Sequence, residues 1–309
     1  MAAASDRRAI VLHEVGLRDG LQMERQTVPT EQKARWAGEL VASGLDVVQV
    51  GSFVHPDKVP QMADTDRLFG LLGKPAGATL SALVLNERGL ERGLACGVDL
   101  FCMGVSASET HSRKNTGMST AEATERIIAI ARKAEDARKQ VQVSVQSAFG
   151  CGYEGTVPEH RVLELVRRFL DAGLTRISLA DTAGHAVPDQ VARLYAAVFA
   201  AGPGVEAACH FHNTYGLALA NCWAAQRAGV TWFESSVAGL GGCPFTKVAG
   251  GNTCTEDFVH MLQRSGQRTD VRLDRLVGLA REVARFFGRD LPGSVYRAGT
   301  VADAVGAHG

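Results

Sequence analysis

The sequence contains little that points to a membrane, a nucleic acid or a secreted setting. Its 33 basic side chains balance 33 acidic ones, and no basic stretch alternates with aromatics, so a nucleic-acid partner is not expected. No apolar run approaches the roughly 20 residues of a membrane span, and residues 1–8 carry no apolar signal core. We therefore expect a soluble, cytoplasmic protein without membrane or nucleic-acid partners.

The chain also has no cysteine framework. Its seven cysteines show no CxxC spacing and are too sparse for a disulfide scaffold, so most are expected to be reduced core thiols. With 46% hydrophobic residues among 309, the chain can bury a large core, and its length suits two modest domains or one α/β barrel. Because no linker or internal repeat divides it, we predict a single domain over residues 1–309.

Short apolar runs alternate with helical periodicity, as in the βαβ units of a parallel sheet. The predicted strands are 9–13, 47–50, 79–83, 100–105, 141–145, 176–179, 206–210 and 231–235, with helices at 31–40 and 120–139 among the segments between them. Eight strands favour a TIM (β/α)8 barrel over residues 9–254, although an open doubly wound sheet shows the same alternation. Residues 255–309 are predicted to add C-terminal helices to about residue 288 and a loosely ordered tail from 298.

A pair of histidines carries the clearest chemical signal. His210 and His212 are two positions apart at a strand end, so both imidazoles can reach one cation from the same face. Asp19, in a turn after the first strand, and Asn252, at the end of the glycine-rich stretch 239–252, would add two oxygen ligands. Such a donor set predicts a divalent-metal site at the C-terminal mouth of the barrel, with positions open for substrate.

Three longer motifs carry a resemblance to a family. The segments EVGLRDGLQ at 14–22, SFVHP at 52–56 with VPQM at 59–62, and GLGGCPF at 239–245 resemble 3-hydroxy-3-methylglutaryl-CoA lyases, which are DRE-TIM metallolyases. The match extends from about residue 10 to 262. It implies a TIM barrel, a Mg²⁺ or Mn²⁺ ion, a homodimer, and retro-Claisen cleavage of a 3-hydroxyacyl-CoA to acetyl-CoA and an oxo acid. The matching metal ligands are Asp19, His210, His212 and Asn252.

The resemblance also implies catalytic roles. Arg18 matches the catalytic arginine, whose guanidinium is suited to stabilise the enolate oxyanion. Cys243, in the flexible glycine loop, matches a catalytic cysteine that delivers a proton to the enolate. Asp181 matches an active-site acid, and either it or His210 could accept the proton of the substrate hydroxyl. Asp181 as a helix N-cap and Cys243 as an inert buried thiol are the structural alternatives.

Further residues are predicted to contact the substrate. They are Gln22, Gln49, Ser144, Ser178, Thr182 and Asn115. The segment 108–115 resembles the family's CoA-side loop, where Arg113 or Lys114 could meet CoA phosphates. A charged loop exposed to solvent is an equally good interpretation of that segment.

Three positions depart from the family pattern. Gln49 stands where the family's Asp-Arg-Glu set has its glutamate, Asn213 follows His212 where an aspartate is usual, and Ser144 occupies the position of a tyrosine. Two lost carboxylates and a smaller side chain suggest a different, bulkier hydroxyacyl-CoA as substrate. Alternatives are an aldolase acting on a 4-hydroxy-2-oxo acid, a Claisen-type synthase, or a catalytically silent barrel that binds metal or acyl-CoA.

Overall fold

The computed structural model describes residues 10–242 and 250–301, which form eight β-strands and eleven α-helices. The strands are β1 Val11–Glu14, β2 Val47–Ser52, β3 Thr79–Leu83, β4 Leu100–Ser106, β5 Gln140–Gln146, β6 Arg176–Asp181, β7 Glu206–Phe211 and β8 Trp232–Ser235. The helices are α1 Thr30–Ala42, α2 Thr65–Leu72, α3 Glu87–Ala95, α4 Glu109–Thr116, α5 Thr120–Asp136, α6 Glu159–Asp171, α7 Pro188–Ala201, α8 Ala218–Ala228, α9 Thr255–Arg264, α10 Leu273–Phe287 and α11 Val295–Ala298.

The strands close into a barrel in chain order, and every neighbouring pair is parallel. Closure is completed by β8, which pairs with β1 from Val11 opposite Trp232 to Glu14 opposite Ser235. This ring confirms the predicted TIM barrel and excludes the open doubly wound sheet. All eight predicted strands are present, and their ends differ from the predicted ones by at most two residues. Residue 9, predicted to begin the first strand, lies outside the described residues.

The main core lies between the strands and the surrounding helices. Outward-facing strand residues such as Leu12 and Phe101 pack in one cluster with helical residues such as Trp36 and Phe169, and all four are almost completely buried. Burying a side chain of this size contributes about 1.5–3 kcal/mol. The alternation of strand side chains thus assigns one face of every strand to this layer and leaves the other face for the barrel interior.

The barrel interior has an unusual composition. Its floor is a small apolar cluster of Val47, Leu100 and Cys102, with Val11, Leu83 and Trp232 packed against it. Nearer the mouth the buried side chains are polar: His13, Gln49, Ser81, Gln142, Ser178 and Glu234. Bulky branched apolar residues dominate the interior layers of most TIM barrels. The polar layer therefore identifies this end of the barrel as the place where chemistry is expected.

One helical prediction is corrected in its extent, and the predicted C-terminal helical segment contains two long helices. The helix predicted for 120–139 ends at Asp136, because Arg138 takes a left-handed φ of 59° in the turn before β5. The helical tail is divided into α9 and α10, because Arg268 turns the chain with a φ of 45° and its guanidinium donates to the Ile10 carbonyl and to Asp46. Residues 302–309 of the predicted tail lie outside the described residues. Within the described chain, no helix has both the length and the apolar character needed to cross a bilayer.

The segment 108–115 is not the predicted loop but contains helix α4. The Ser108 hydroxyl accepts a hydrogen bond from the His111 amide at 3.1 Å and so caps the N-terminus. Gly117 ends the helix in a left-handed conformation with a φ of 77°. Capping signals at both ends explain why this polar segment is helical despite its lack of an apolar face.

Candidate active site

The arginine and aspartate of the RDG motif lie in one tight turn after β1. Residues Gly16–Gly20 form a π-helical turn in which the Val15 carbonyl accepts hydrogen bonds from the amides of Arg18, Asp19 and Gly20. The turn packs tightly: a Cβ on Gly16 would lie 2.5 Å from a Glu14 carboxylate oxygen. The turn therefore requires glycine at position 16, because a larger residue would displace the turn that positions Arg18 and Asp19.

Arg18 is held between an acid and an amide. Its Nη1 donates to Asp19 Oδ1 at 2.6 Å, and its Nε donates to Gln49 Oε1 at 2.5 Å. Gln49 is fully buried within β2, so this bond fixes the guanidinium at the mouth. The amide thus keeps the hydrogen bond that a glutamate could make at position 49 but not its charge.

The two histidines point the same ring nitrogen at Asp19. His210 Nδ1 is 2.9 Å from Glu234 Oε2, and His212 Nδ1 is 3.0 Å from the Thr182 carbonyl oxygen. Because both acceptors require a donor, each neutral ring carries its proton on Nδ1. The Nε2 atoms then face Asp19 Oδ2, at 3.8 Å from His210 and 3.7 Å from His212. One donor atom from each of these three residues lies within 4.8 Å of the others, so the group could hold a metal ion.

Asn252 completes the predicted ligand group. Its Nδ2 donates to Asp19 Oδ2 at 2.9 Å and to the Leu240 carbonyl at 2.8 Å. Its Oδ1 is buried and has no hydrogen-bond partner among residues 10–242 and 250–301. Two imidazoles, a carboxylate and an amide with an unused oxygen fit a divalent cation. Gly241 must be glycine here, because its φ is 111° and a Cβ would lie 2.4 Å from Asn252 Nδ2.

The electrostatics of the group favour an ionised, acidic site. Burial alone would raise the pKa of Asp19, but Arg18 and the two histidines hold it well below its usual range. Burial likewise opposes ionisation of Glu234, yet its hydrogen bond to His210 and nearby positive charges lower its pKa to about 2. Both carboxylates are therefore charged at neutral pH and can offset the charge of a cation.

Asp181 has a structural position as well as a predicted catalytic one. It is fully buried at the end of β6, and its carboxylate accepts hydrogen bonds from the amides of His185 and Ala186 at 2.8 and 3.1 Å. It is not the N-cap of α7, which is Val187. Burial raises the pKa of Asp181. Its carboxylate thus shapes the β6–α7 loop, whose Thr182 carbonyl orients His212.

The other predicted substrate residues differ in burial and in the element that carries them. Ser178 is buried in β6 and donates to Glu234 at 3.3 Å, while Ser144 pairs with it from β5 and is half-buried. Gln22 follows the RDG turn and is half-buried. Asn115 is exposed on α4.

The charges predicted to meet CoA on α4 already have partners. Arg113 pairs with Glu109 at 2.8 Å, and the Lys114 ammonium lies 4.3 Å from the centre of the Tyr153 ring. On the other side of the mouth lies a cavity of about 400 Å³. Its lining includes Arg25, Arg289, Leu240, Gly241 and Gly242. This cavity borders the start of the glycine-rich stretch, whose Cys243 lies outside the described residues.

The carboxylate of Glu234 was not among the predicted site residues. It lies opposite His210 in the register of β7 and β8, inside the barrel. The available signal was a charged residue within the apolar strand WFES, at the alternate positions that face the interior. Asn213, noted as a departure, accepts from the Ala218 amide at 3.2 Å and so supports the start of α8.

Comparisons with known proteins agree on one family. The profile of the HMGL-like family matches residues 9–283. A hydroxymethylglutaryl-CoA lyase of Bacillus subtilis is 38% identical over 285 residues, which cover 92% of this chain and 95% of the relative. A 3-hydroxy-3-isohexenylglutaryl-CoA/hydroxymethylglutaryl-CoA lyase of Pseudomonas aeruginosa is 37% identical, covering 91% and 94%. The solved structure of an HMG-CoA lyase of Acinetobacter baumannii in complex with coenzyme A and 3-methylmalate superposes with a TM-score of 0.92, at 35% identity and 98% coverage of both chains.

Proposed function

The chain belongs to the HMGL-like family, and from that membership we propose that it is a metal-dependent carbon–carbon lyase. The proposed reaction cleaves 3-hydroxy-3-methylglutaryl-CoA, or a related and bulkier 3-hydroxyacyl-CoA, to acetyl-CoA and an oxo acid. The observation that carries the proposal is the convergence of two imidazole Nε2 atoms and the Asp19 carboxylate beside Arg18. We propose that the protein acts in the cytoplasm as a homodimer.

The metal ligands are Asp19, His210, His212 and Asn252, and the ion is Mg²⁺ or Mn²⁺. When bound, such an ion acts as a Lewis acid that makes the substrate hydroxyl more acidic and orients it. Arg18 is fixed by Asp19 and Gln49, so its guanidinium can meet the oxyanion of the departing acetyl-CoA enolate without reorganisation. Because Gln49 keeps Arg18 in place, the lost carboxylate at that position does not by itself favour a silent barrel.

The remaining proton transfers are assigned to groups that flank this centre. Asp181 is the proposed acceptor of the hydroxyl proton, because the alternative, His210, has its proton on Nδ1 and its Nε2 directed at the metal position, and so has no free lone pair. Asp181→Asn should lower kcat strongly with unchanged Mn²⁺ affinity, whereas full turnover would exclude Asp181 as the base. Cys243 is proposed to protonate the enolate carbon. This role comes from the resemblance, and Cys243 follows Gly242, which lines the cavity beside the site.

We propose that CoA enters along the cavity lined by Arg25 and Arg289 rather than along α4. The cavity borders Gly241 and Gly242 beside the ligand Asn252, and guanidinium groups bind phosphates well. Arg113 and Lys114 would have to release Glu109 and Tyr153, and Arg289 would likewise have to release Glu24, so the preference rests on the cavity and on Arg25. Arg25→Ala should therefore raise the KM for the acyl-CoA, whereas Lys114→Ala should leave it unchanged. The reverse result would return the CoA site to α4.

The function is tested by a coupled assay for acetyl-CoA release from 3-hydroxy-3-methylglutaryl-CoA and from larger 3-hydroxyacyl-CoAs. Reactions contain Mg²⁺ or Mn²⁺, with chelator as the control. Metal-dependent release that is lost in Asp19→Asn supports the lyase and identifies its acyl group. Absence of release across the panel, with metal bound, would overturn the proposal in favour of an aldolase, a synthase or a silent barrel.

A further inference from the structure

We propose that Glu234 is the positioning residue of this site, holding His210 in the tautomer and orientation that a metal ligand needs. Nothing in the family motifs quoted above assigns a role to this glutamate. The inference rests on the proposed function in one respect, namely that His210 binds a metal ion. It concerns how the barrel interior prepares that ligand.

The backbone register brings the two side chains together. His210 and Glu234 are direct partners across β7 and β8, so both side chains enter the barrel interior side by side. Glu234 Oε2 lies 2.9 Å from His210 Nδ1, on the side of the ring opposite to Nε2, which faces Asp19. A carboxylate on Nδ1 keeps the proton there and increases the electron density that Nε2 can donate to a cation.

The other carboxylate oxygen is anchored in its turn. Glu234 Oε1 accepts from Gln142 Nε2 at 2.6 Å and from the Ser178 hydroxyl at 3.3 Å. These donors come from β5 and β6, so two other strands fix Glu234 of β8 while it supports a ligand on β7. With both oxygens engaged, Glu234 has little freedom to rotate, and neither has the imidazole that depends on it.

The burial of the Glu234 carboxylate indicates that its charge has a function in the site. Glu234 is only 7% exposed in a layer where most barrels have apolar side chains. Removing a carboxylate from water is costly unless its partners compensate. Two neutral donors and a histidine compensate in part, and a divalent ion bound to His210 would complete the compensation. Because Gln49 is neutral, Glu234 is the one carboxylate among the six residues of the polar interior layer, beneath Arg18 and the ligands.

The test compares Mn²⁺ affinity of the metal-free full-length protein with that of variants, by calorimetry and by electron paramagnetic resonance. Glu234→Gln keeps the shape of the side chain and should weaken Mn²⁺ binding about 10–100-fold, as is typical for outer-shell partners of metal-bound histidines. Glu234→Asp, which keeps the charge, should recover part of that loss. Ser81→Ala is the matched control: Ser81 lies in the same polar layer and bonds His13 at 2.8 Å instead of a ligand. Its affinity should stay within about twofold of the wild type, well below the effect typical of outer-shell partners.

A second measurement needs no variant of Glu234. Histidine ¹⁵N spectra of the Mg²⁺-loaded protein, assigned with His210→Gln, should show His210 protonated on Nδ1. Mn²⁺ affinity of Glu234→Gln within twofold of the wild type, or a His210 proton on Nε2, would overturn the inference. If the wild type releases no acetyl-CoA but Glu234→Gln still loses Mn²⁺ affinity, the lyase proposal fails and the positioning role stands.

Discussion

Glu256 provides a test of how burial shifts the pKa of a carboxyl group and makes the free energy of unfolding depend on pH. It is the second residue of α9, fully buried, four residues after Asn252. Its Oε2 accepts from the Ala238 amide at 3.0 Å, in the turn that precedes the glycine-rich stretch. Its Oε1 has no hydrogen-bond partner in the described part of the chain. Burial raises the pKa of Glu256 from 4.5 to about 8.

The sign and size of the pH effect follow from linkage. Between pH 4.5 and about 8 the folded chain keeps the Glu256 proton, while the unfolded chain has released it. The folded state therefore binds more protons, and the free energy of unfolding falls as the pH rises through this window. At about 1.4 kcal/mol per pH unit, the loss between pH 5.5 and 7.5 is about 3 kcal/mol.

Equilibrium unfolding in urea at pH 5.5 and 7.5, with chelator present, measures this loss. Glu256→Gln has no proton to release, so the wild type should lose about 3 kcal/mol relative to this variant across the two pH values. Glu164→Gln, at an exposed position on α6, is the control and should follow the wild type. An infrared band of a protonated carboxyl group at pH 7, absent in Glu256→Gln, would report the same proton directly. A differential loss below about 1 kcal/mol would refute the reasoning, because it corresponds to less than one unit of pKa shift.

Three further predictions concern the proposed lyase. Asp19→Asn should weaken Mn²⁺ binding by more than about 100-fold, because it removes a ligand and not only a residue that supports one. Mn²⁺ affinity near that of the wild type in calorimetry would contradict the role of Asp19 as a ligand. Cys243→Ser should lower kcat by about 10²–10⁴ while leaving Mn²⁺ affinity unchanged, and full turnover would reduce Cys243 to a packing residue. Gln49→Glu should strengthen the bond to Arg18 by about 1 kcal/mol and raise turnover of 3-hydroxy-3-methylglutaryl-CoA about fivefold. An unchanged or lower rate would indicate a pocket rebuilt for another acyl group.

The barrel could be predicted from the strand pattern, whereas the local turns and helix ends could not. All eight strands could be located because each apolar run is buried on the helical side and ends in polar residues at the mouth. The helix α4 was missed because its stability comes from Ser108 and Gly117 at its two ends rather than from apolar periodicity. The division of α9 from α10 depends on Arg268 reaching Asp46, a contact more than 200 positions distant in the chain. The predicted boundary of the barrel at residue 254 stays a prediction.

By itself, the sequence determined which side chains could serve as metal ligands, because His210 and His212 share a face at any strand end and the RDG motif carries its own turn. Only the tertiary structure decided what surrounds them. Closure of the barrel sets β8 beside β7 and so places Glu234 against His210, and it brings Gln49 onto Arg18. Contacts of this kind depend on strand register, which arises from packing of the whole ring and leaves no local trace in the chain.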